Sequence, residues 1–234
     1  MAESGLVIDE RIRIPVEVFD FDLESFRRWV HSDSFPQQGR ISFFAGEIDV
    51  DMSPEEIETH NKVKSDIHVD LGNWVRAQNL GELLLDGALL VNEDAGLATE
   101  PDMMLCSWGS LELGLVRYRE IVAGSGRYVE VTGSPDLTVE VVSRTSVRKD
   151  TVVLPELYFV AGVREYWRID ARGPEIDLQI FHRGDTEFVA TKPDRDGFHR
   201  SEVLHAQAKL LRERNRRGTF QYRLILRRRG YRNY

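Results

Sequence analysis

Hydrophobic positions along this chain recur with two different periods, and their alternation sets out a mixed fold. Leu23, Phe26, Trp29 and Val30 stand at helical spacing within residues 15–31, which predicts a first helix there. Ile41 to Phe44 and Glu47 to Met52 read as two strands about a turn at Ala45-Gly46. In the second of these, Ile48, Val50 and Met52 alternate with Glu47, Asp49 and Asp51, the pattern of a strand with one buried face. Ser53-Pro54-Glu55-Glu56 supplies an N-cap, a first-turn proline and early acids. A helix is therefore expected from there to about residue 79, with Ile57, Val63, Ile67, Leu71 and Val75 near one face and Gly81 ending it.

The runs at 83–85 and 88–91 predict either a hairpin across Asp86-Gly87 or a strand with a bulge. Residues 101–106 and 137–143 are short, rich in Val, Leu and Met and bounded by turn residues, so both read as strands. Residues 107–126 are read as a helix closing at Gly124-Ser125-Gly126. A further helix is expected over 151–161, ended by Gly162. Strands follow at 165–169, 176–183 and 187–190, the last two pairing antiparallel, then a hairpin joining 208–211 to 221–226. This order gives an α/β class, a mixed β-sheet flanked by helices. One domain is expected, with a helical segment at 1–39, a core at 40–205 and a basic hairpin and tail at 206–234.

Composition narrows the function classes. The chain has 234 residues, 41% hydrophobic and 30% charged, as an ordinary globular domain has. It contains no apolar run long enough for a membrane-spanning helix. Met1 to Gly5 lack the basic and apolar regions of a secretory signal. The single cysteine, Cys106, rules out an intramolecular disulfide framework and a cysteine-based zinc site, and it is expected in the core. A cytoplasmic protein is the expectation. The net charge of −8 is unevenly spread: from Lys209 onward there are ten basic residues (Arg229 and Arg232 among them) and one acid. Two readings stand, a phosphate-binding segment or a solvated hairpin whose arginines pair with the acidic body.

The candidate chemistry lies in two carboxylates at the edges of apolar strands, Asp102 and Glu140. Strands of one sheet can bring them together, and two adjacent carboxylates repel unless a cation or a proton sits between them. Hard oxygen ligands suit Mg²⁺ or Mn²⁺, which also catalyse phosphodiester cleavage. Taken alone, acids in strands are a weak signal.

The wider context is more specific. Pro135-Asp-Leu-Thr-Val-Glu-Val-Val-Ser143, Ser146 to Asp150, Glu156-Leu-Tyr158 and Ala161-Gly-Val-Arg-Glu-Tyr-Trp-Arg-Ile-Asp170 together closely resemble the Uma-two family of bacterial proteins assigned as restriction endonucleases. Gly46-Glu47, Met52-Ser53-Pro54, His60 and Pro101-Asp102 extend the resemblance over roughly residues 40–185. The family lies in the PD-(D/E)xK superfamily, so the resemblance implies a restriction-endonuclease-like fold and metal-dependent cleavage of DNA. It implies Asp102 and Glu140 as metal ligands, the Val141 carbonyl as a further ligand and Glu47 as an additional acid. The superfamily's usual lysine is missing: Val142 stands two residues after Glu140, and Leu154 stands at the migrated position four residues after Asp150. Lys149 is the only lysine in the motif region, either reaching the site or solvated on a loop. Asp150 is read as a helix cap or a site residue, and His60 as a neighbour of the site or an ordinary histidine. Tyr158, Tyr166 and Trp167 are expected as core or half-buried aromatics, and Glu165 and Asp170 as solvated.

Three readings follow. The first is a metal-dependent endonuclease with an atypical site, for which a homodimer is one arrangement that cuts both strands. The second is a catalytically inactive protein of the same fold that binds nucleic acid or a protein partner. A structural or assembly protein whose acids are merely surface residues is a third.

Overall fold

In the computed structural model of the chain, the described residues are 5–9, 12–15, 22–36, 38–44, 46–120 and 124–228. Residues 16–21 of the expected first helix, Ala45 of the expected turn, and Arg229 and Arg232 lie outside them. The first helix is α1 (Leu23–Val30), opened by Asp22, whose carboxylate accepts from the Ser25 amide at 2.7 Å. Pro15, expected to begin that helix, ends strand β2 (Ile12–Pro15), which pairs with β1 (Gly5–Asp9).

Two six-stranded mixed sheets form the body. One orders β4 (Glu47–Asp51), β3 (Arg40–Phe44), β7 (Leu97–Thr99), β6 (Leu89–Asn92), β10 (Tyr128–Gly133) and β9 (Val116–Glu120). The other orders β14 (Phe188–Ala190), β13 (Asp177–Arg183), β12 (Glu165–Asp170), β11 (Leu137–Val141), β8 (Met103–Ser107) and β5 (Gly81–Leu85). Each has one parallel pair, β6 with β10 and β11 with β12. A third sheet joins β15 (His199–Ser201), β16 (Ala206–Arg214) and β17 (Phe220–Arg228). The mixed sheet flanked by helices is thus present, doubled rather than single.

The strand β8 is buried on both faces, which is why its sequence reads as a continuous apolar run. Met103 and Leu105 join a core with Val63, Ile67, Leu71 and Val75 of α2 (Lys62–Ala77) and with β16 and β17. Met104 and Cys106 join a second core with Leu154 and Tyr158 of α4 (Leu154–Val160) and with Leu90, Leu97 and Val131 of the first sheet. The four α2 side chains sit at the predicted spacing and are essentially inaccessible. Each contributes about 1.5–3 kcal/mol by burial.

Several expectations change. Ser53 does not cap the second helix; its amide bonds Asp51 at 2.8 Å. The helix opens at Ile57–Asn61, a wider turn capped by the Glu56 carboxylate on the Glu58 and Thr59 amides, and runs on as α2. The turn at Asp86-Gly87 makes no hairpin, because β5 belongs to one six-stranded sheet and β6 to the other. Among the described residues of 107–126, the expected helix is replaced by the short α3 (Trp108–Glu112) and then β9; residues 121–123 lie outside the described residues. Strands β7, β10 and β15 were not anticipated. The expected helix at 151–161 begins earlier, with a wide turn at Lys149–Val153 leading into α4. The Leu154 amide bonds the Lys149 carbonyl there, and this slack turn lets Pro155 sit within the helix, where it has no N–H to give. No helix among the described residues is long and apolar enough to cross a membrane.

Candidate active site

Strand register brings the two predicted carboxylates together. Antiparallel pairing sets Leu137 against Leu105, Thr138 against Met104 and Val139 against Met103. Continued one step, that register puts Glu140 opposite Asp102. The Val141 amide donates to Asp102 Oδ2 at 2.8 Å, which ties the end of β11 to the residue before β8. Asp102 and Glu140 are both buried, 7% and 4% exposed.

Two helices reach this end of the sheet from opposite faces. From α4 comes Tyr158, whose hydroxyl donates to Glu140 Oε1 at 2.5 Å. From α2 and its opening turn come Lys64, with Nζ 3.3 Å from Asp102 Oδ1, and His60, with Nε2 3.9 Å from Asp102 Oδ2. Lys64 also contacts Glu55 Oε1 at 2.5 Å and Asp86 Oδ2 at 2.6 Å. Arg40 joins the same two acids, pairing with Glu55 and lying 3.4 Å from Asp86. Beside this network a cleft of about 350 Å³ is lined by Arg40, Ser53, Glu55, His60, Arg144 and Thr145.

The electrostatics follow from burial and crowding. Burial, then the Asp102 and Asp150 charges, push the Glu140 carboxyl well above the usual range, with only partial relief from Lys149. Burial also pushes Asp150 up to about 7, although Lys149 and the Ser146 hydroxyl favour its charge. Burial opposes the Lys149 charge, but Glu140, Asp150, Asp49 and Asp102 outweigh it and raise its pKa. Burial holds His60 below its ordinary value against the pull of Asp102. Glu100 is raised by burial and by Asp86.

Lys149 therefore stands in the opening turn of the fourth helix, within the field of four carboxylates, rather than on a solvated loop. Asp150 is not a helix cap: its amide already bonds the Ser146 carbonyl at 2.8 Å, its Oδ2 accepts from the Ser146 hydroxyl, and its Oδ1 is buried without a partner. Glu47 is exposed at the turn end of β4, and no described hydrogen bond or ion pair ties it to Asp102 or Glu140. Asp49, on the same face of that strand, is one of the four carboxylates that act on Lys149. Leu154 is fully buried in an apolar cluster. Glu165 is not solvated; it is 1% exposed and accepts from Trp167 Nε1, the Ser201 hydroxyl and the Glu202 and Val203 amides.

Lys64 went unrecognised as a site residue. It lies one helical turn after His60, beside the apolar stripe of Val63 and Ile67, and that spacing was the available signal. Among the described residues, no group of three or more His, Cys, Asp or Glu is arranged to hold a metal ion. The hard donors at the sheet end are the Asp102 and Glu140 carboxylates and the backbone of Val141.

Comparison with known proteins agrees with this architecture. The Uma2 family, described as "Putative restriction endonuclease", matches residues 23–212. A solved structure described as a "putative nuclease belonging to DUF820 from Anabaena variabilis" is similar with a TM-score of 0.53. The match covers 78% of this chain and 90% of that chain at 18% identity, a likeness of fold. No curated protein matches the chain.

Proposed function

The chain belongs to the Uma2 family, and on that premise we propose that it is a divalent-metal-dependent nuclease hydrolysing phosphodiester bonds of DNA. The observation that carries this reading is the meeting of buried Asp102 and Glu140 at one sheet end, with Lys149 in their field. The donor set suits a hard cation such as Mg²⁺ or Mn²⁺, since the two carboxylates and the Val141 carbonyl offer only oxygen. Charge points the same way: Asp102 and Asp150 crowd Glu140 by more than Lys149 relieves, so the site lacks positive charge at Glu140. When bound, such a cation supplies neutralisation of the phosphoryl group and activation of water.

The chain's own residues do the rest. The Val141 amide fixes the Asp102 carboxylate, and the Tyr158 hydroxyl fixes Glu140. Lys149 keeps its proton at neutral pH because its pKa is raised. It therefore acts as a fixed positive charge beside the phosphoryl oxygens rather than as a base. Glu47, exposed and without a described tie to these acids, is given no part in the reaction. Arg40 and Arg144 at the cleft offer charge to a flanking phosphate.

A second reading, a protein that binds nucleic acid or a protein partner without cutting, is favoured by Leu154, an apolar buried side chain where the family pattern expects lysine. Supercoiled plasmid incubated with Mg²⁺ or Mn²⁺ decides between them. Nicking that disappears with chelator and in Asp102→Asn supports the nuclease. A salt-sensitive gel shift with no nicking by the wild type would replace it with the binding protein.

A further inference from the structure

Asp102 is not left bare in this fold. Of the charged groups around it, Lys64 is the one whose Nζ touches it, and that ammonium is held three ways, at 2.5 Å by Glu55, 2.6 Å by Asp86 and 3.3 Å by Asp102. The contact to Asp102 is the longest of the three. Lys149, on the Glu140 side, makes no ion pair within 4 Å among the described residues. The two cations thus differ in what they lose by moving. Lys64 can draw back from Asp102 and keep two carboxylate partners, both farther out: Glu55 and Asp86 are 21% and 32% exposed at the side chain, against 8% for Asp102. Lys149 has no such ion pair to fall back on among the described residues.

We propose that Lys64 is a tethered counter-ion for Asp102 that competes with the divalent cation and withdraws to Glu55 and Asp86 when that cation binds. The proposal rests on the metal-dependent reading above and adds a positioning residue to it. Without the cation, Lys64 places its positive charge beside Asp102, whose other carboxylate oxygen accepts from the Val141 amide. With it, the retreat of one ammonium lets a doubly charged ion enter without stranding a lysine in a buried site. Arg40 is the internal control. It joins the same Glu55 and Asp86 and carries the same charge, but among the described residues it has no ion pair with Asp102.

The test is calorimetric titration of Mn²⁺ into the full chain, with thermal unfolding to show that each variant is folded. Removing the competitor in Lys64→Met should tighten Mn²⁺ binding by about five- to tenfold. Lys64→Gln, which keeps a donor for Glu55 without the charge, should do the same and stands in if the methionine variant is unstable. Arg40→Met should tighten binding clearly less than Lys64→Met does, since Arg40 shares Glu55 and Asp86 with Lys64 but has no ion pair with Asp102 among the described residues. Equal or weaker binding in both Lys64 variants, or an equal gain in Arg40→Met, overturns the proposal while leaving the metal site standing. Binding in Lys64→Met where wild type shows none supports it in its strongest form. No binding in any of these proteins, matching Asp102→Asn, overturns both this proposal and the metal-dependent reading.

Discussion

At the scale of single residues, the site is governed by carboxylates kept from water. Asp150 shows the consequence most simply, because its Oδ1 has no partner and its pKa rises to about 7. A carboxyl raised in the folded state favours the protonated form there. Its stabilising contribution is complete below the unfolded value of about 3.9 and is lost as pH rises through the folded one. Urea unfolding of the metal-free protein should therefore show stability declining from about pH 4 to pH 7. Asp150→Asn should make that slope shallower and add on the order of 1–3 kcal/mol at pH 8, by removing a buried charge. An unchanged slope would mean that Asp150 ionises freely. The same crowding explains why Lys149, read from sequence only as the nearest lysine, keeps its charge despite burial.

At the scale of elements, the second helix does two jobs with two faces. Its opening turn and first turn carry His60 and Lys64 to Asp102. Farther round, Glu58, Asp66 and Asp70 accept from the amides of Phe220, Tyr222 and Leu224 at 3.0, 2.7 and 2.8 Å. Those amides alternate along one edge of β17, where no further strand pairs among the described residues. The helix thus satisfies a sheet edge with carboxylates at near-helical spacing, which also blocks that edge from pairing with another chain. Asp70→Ala should cost about 1 kcal/mol in unfolding free energy, and the Leu224 amide should exchange its hydrogen faster by NMR while amides within the β16–β17 ladder keep their protection. Uniform loss of protection would instead indicate that the whole hairpin is released.

At the scale of the whole molecule, the basic hairpin proves to be largely spoken for. Arg212 donates to the carbonyls of Ala171 and Gly173 at 3.0 Å each and to Pro174, and stacks 4.5 Å from the Phe220 ring centroid. Arg227 pairs with Asp194 at 2.8 Å over the Phe198 ring, and Arg223 lies near Glu213. Of these, Arg227 pairs with an acid of the body, as one of the two readings expects, whereas Arg212 is held by backbone carbonyls and Arg223 lies near an acid of the hairpin itself. Arg212→Ala should lower stability by about 1–2 kcal/mol and leave DNA affinity and its salt slope unchanged in gel-shift titrations. A reduced slope would return the hairpin to the phosphate-binding role.

Local pattern determined what depends on local rules: α2 from its apolar stripe, β8 and β11 from their short buried runs, the β16–β17 hairpin from its turn, and family membership from the strings around Glu140 and Tyr166. It offered β5 and β6 as a hairpin or as a strand with a bulge, and neither holds because a turn dipeptide does not say which sheet each flanking strand joins. It missed β7 and β15 because strands of three residues carry little periodicity. For the site, sequence marked Asp102, Glu140, Val141, Lys149 and Glu47, of which Glu47 has no described tie to the two buried acids, while Lys64, Asp49 and the buried state of Asp150 emerged only in three dimensions. The reason is physical: charge acts through space, so which cation meets which carboxylate is decided by strand register and by the two helices that converge on one end of the sheet.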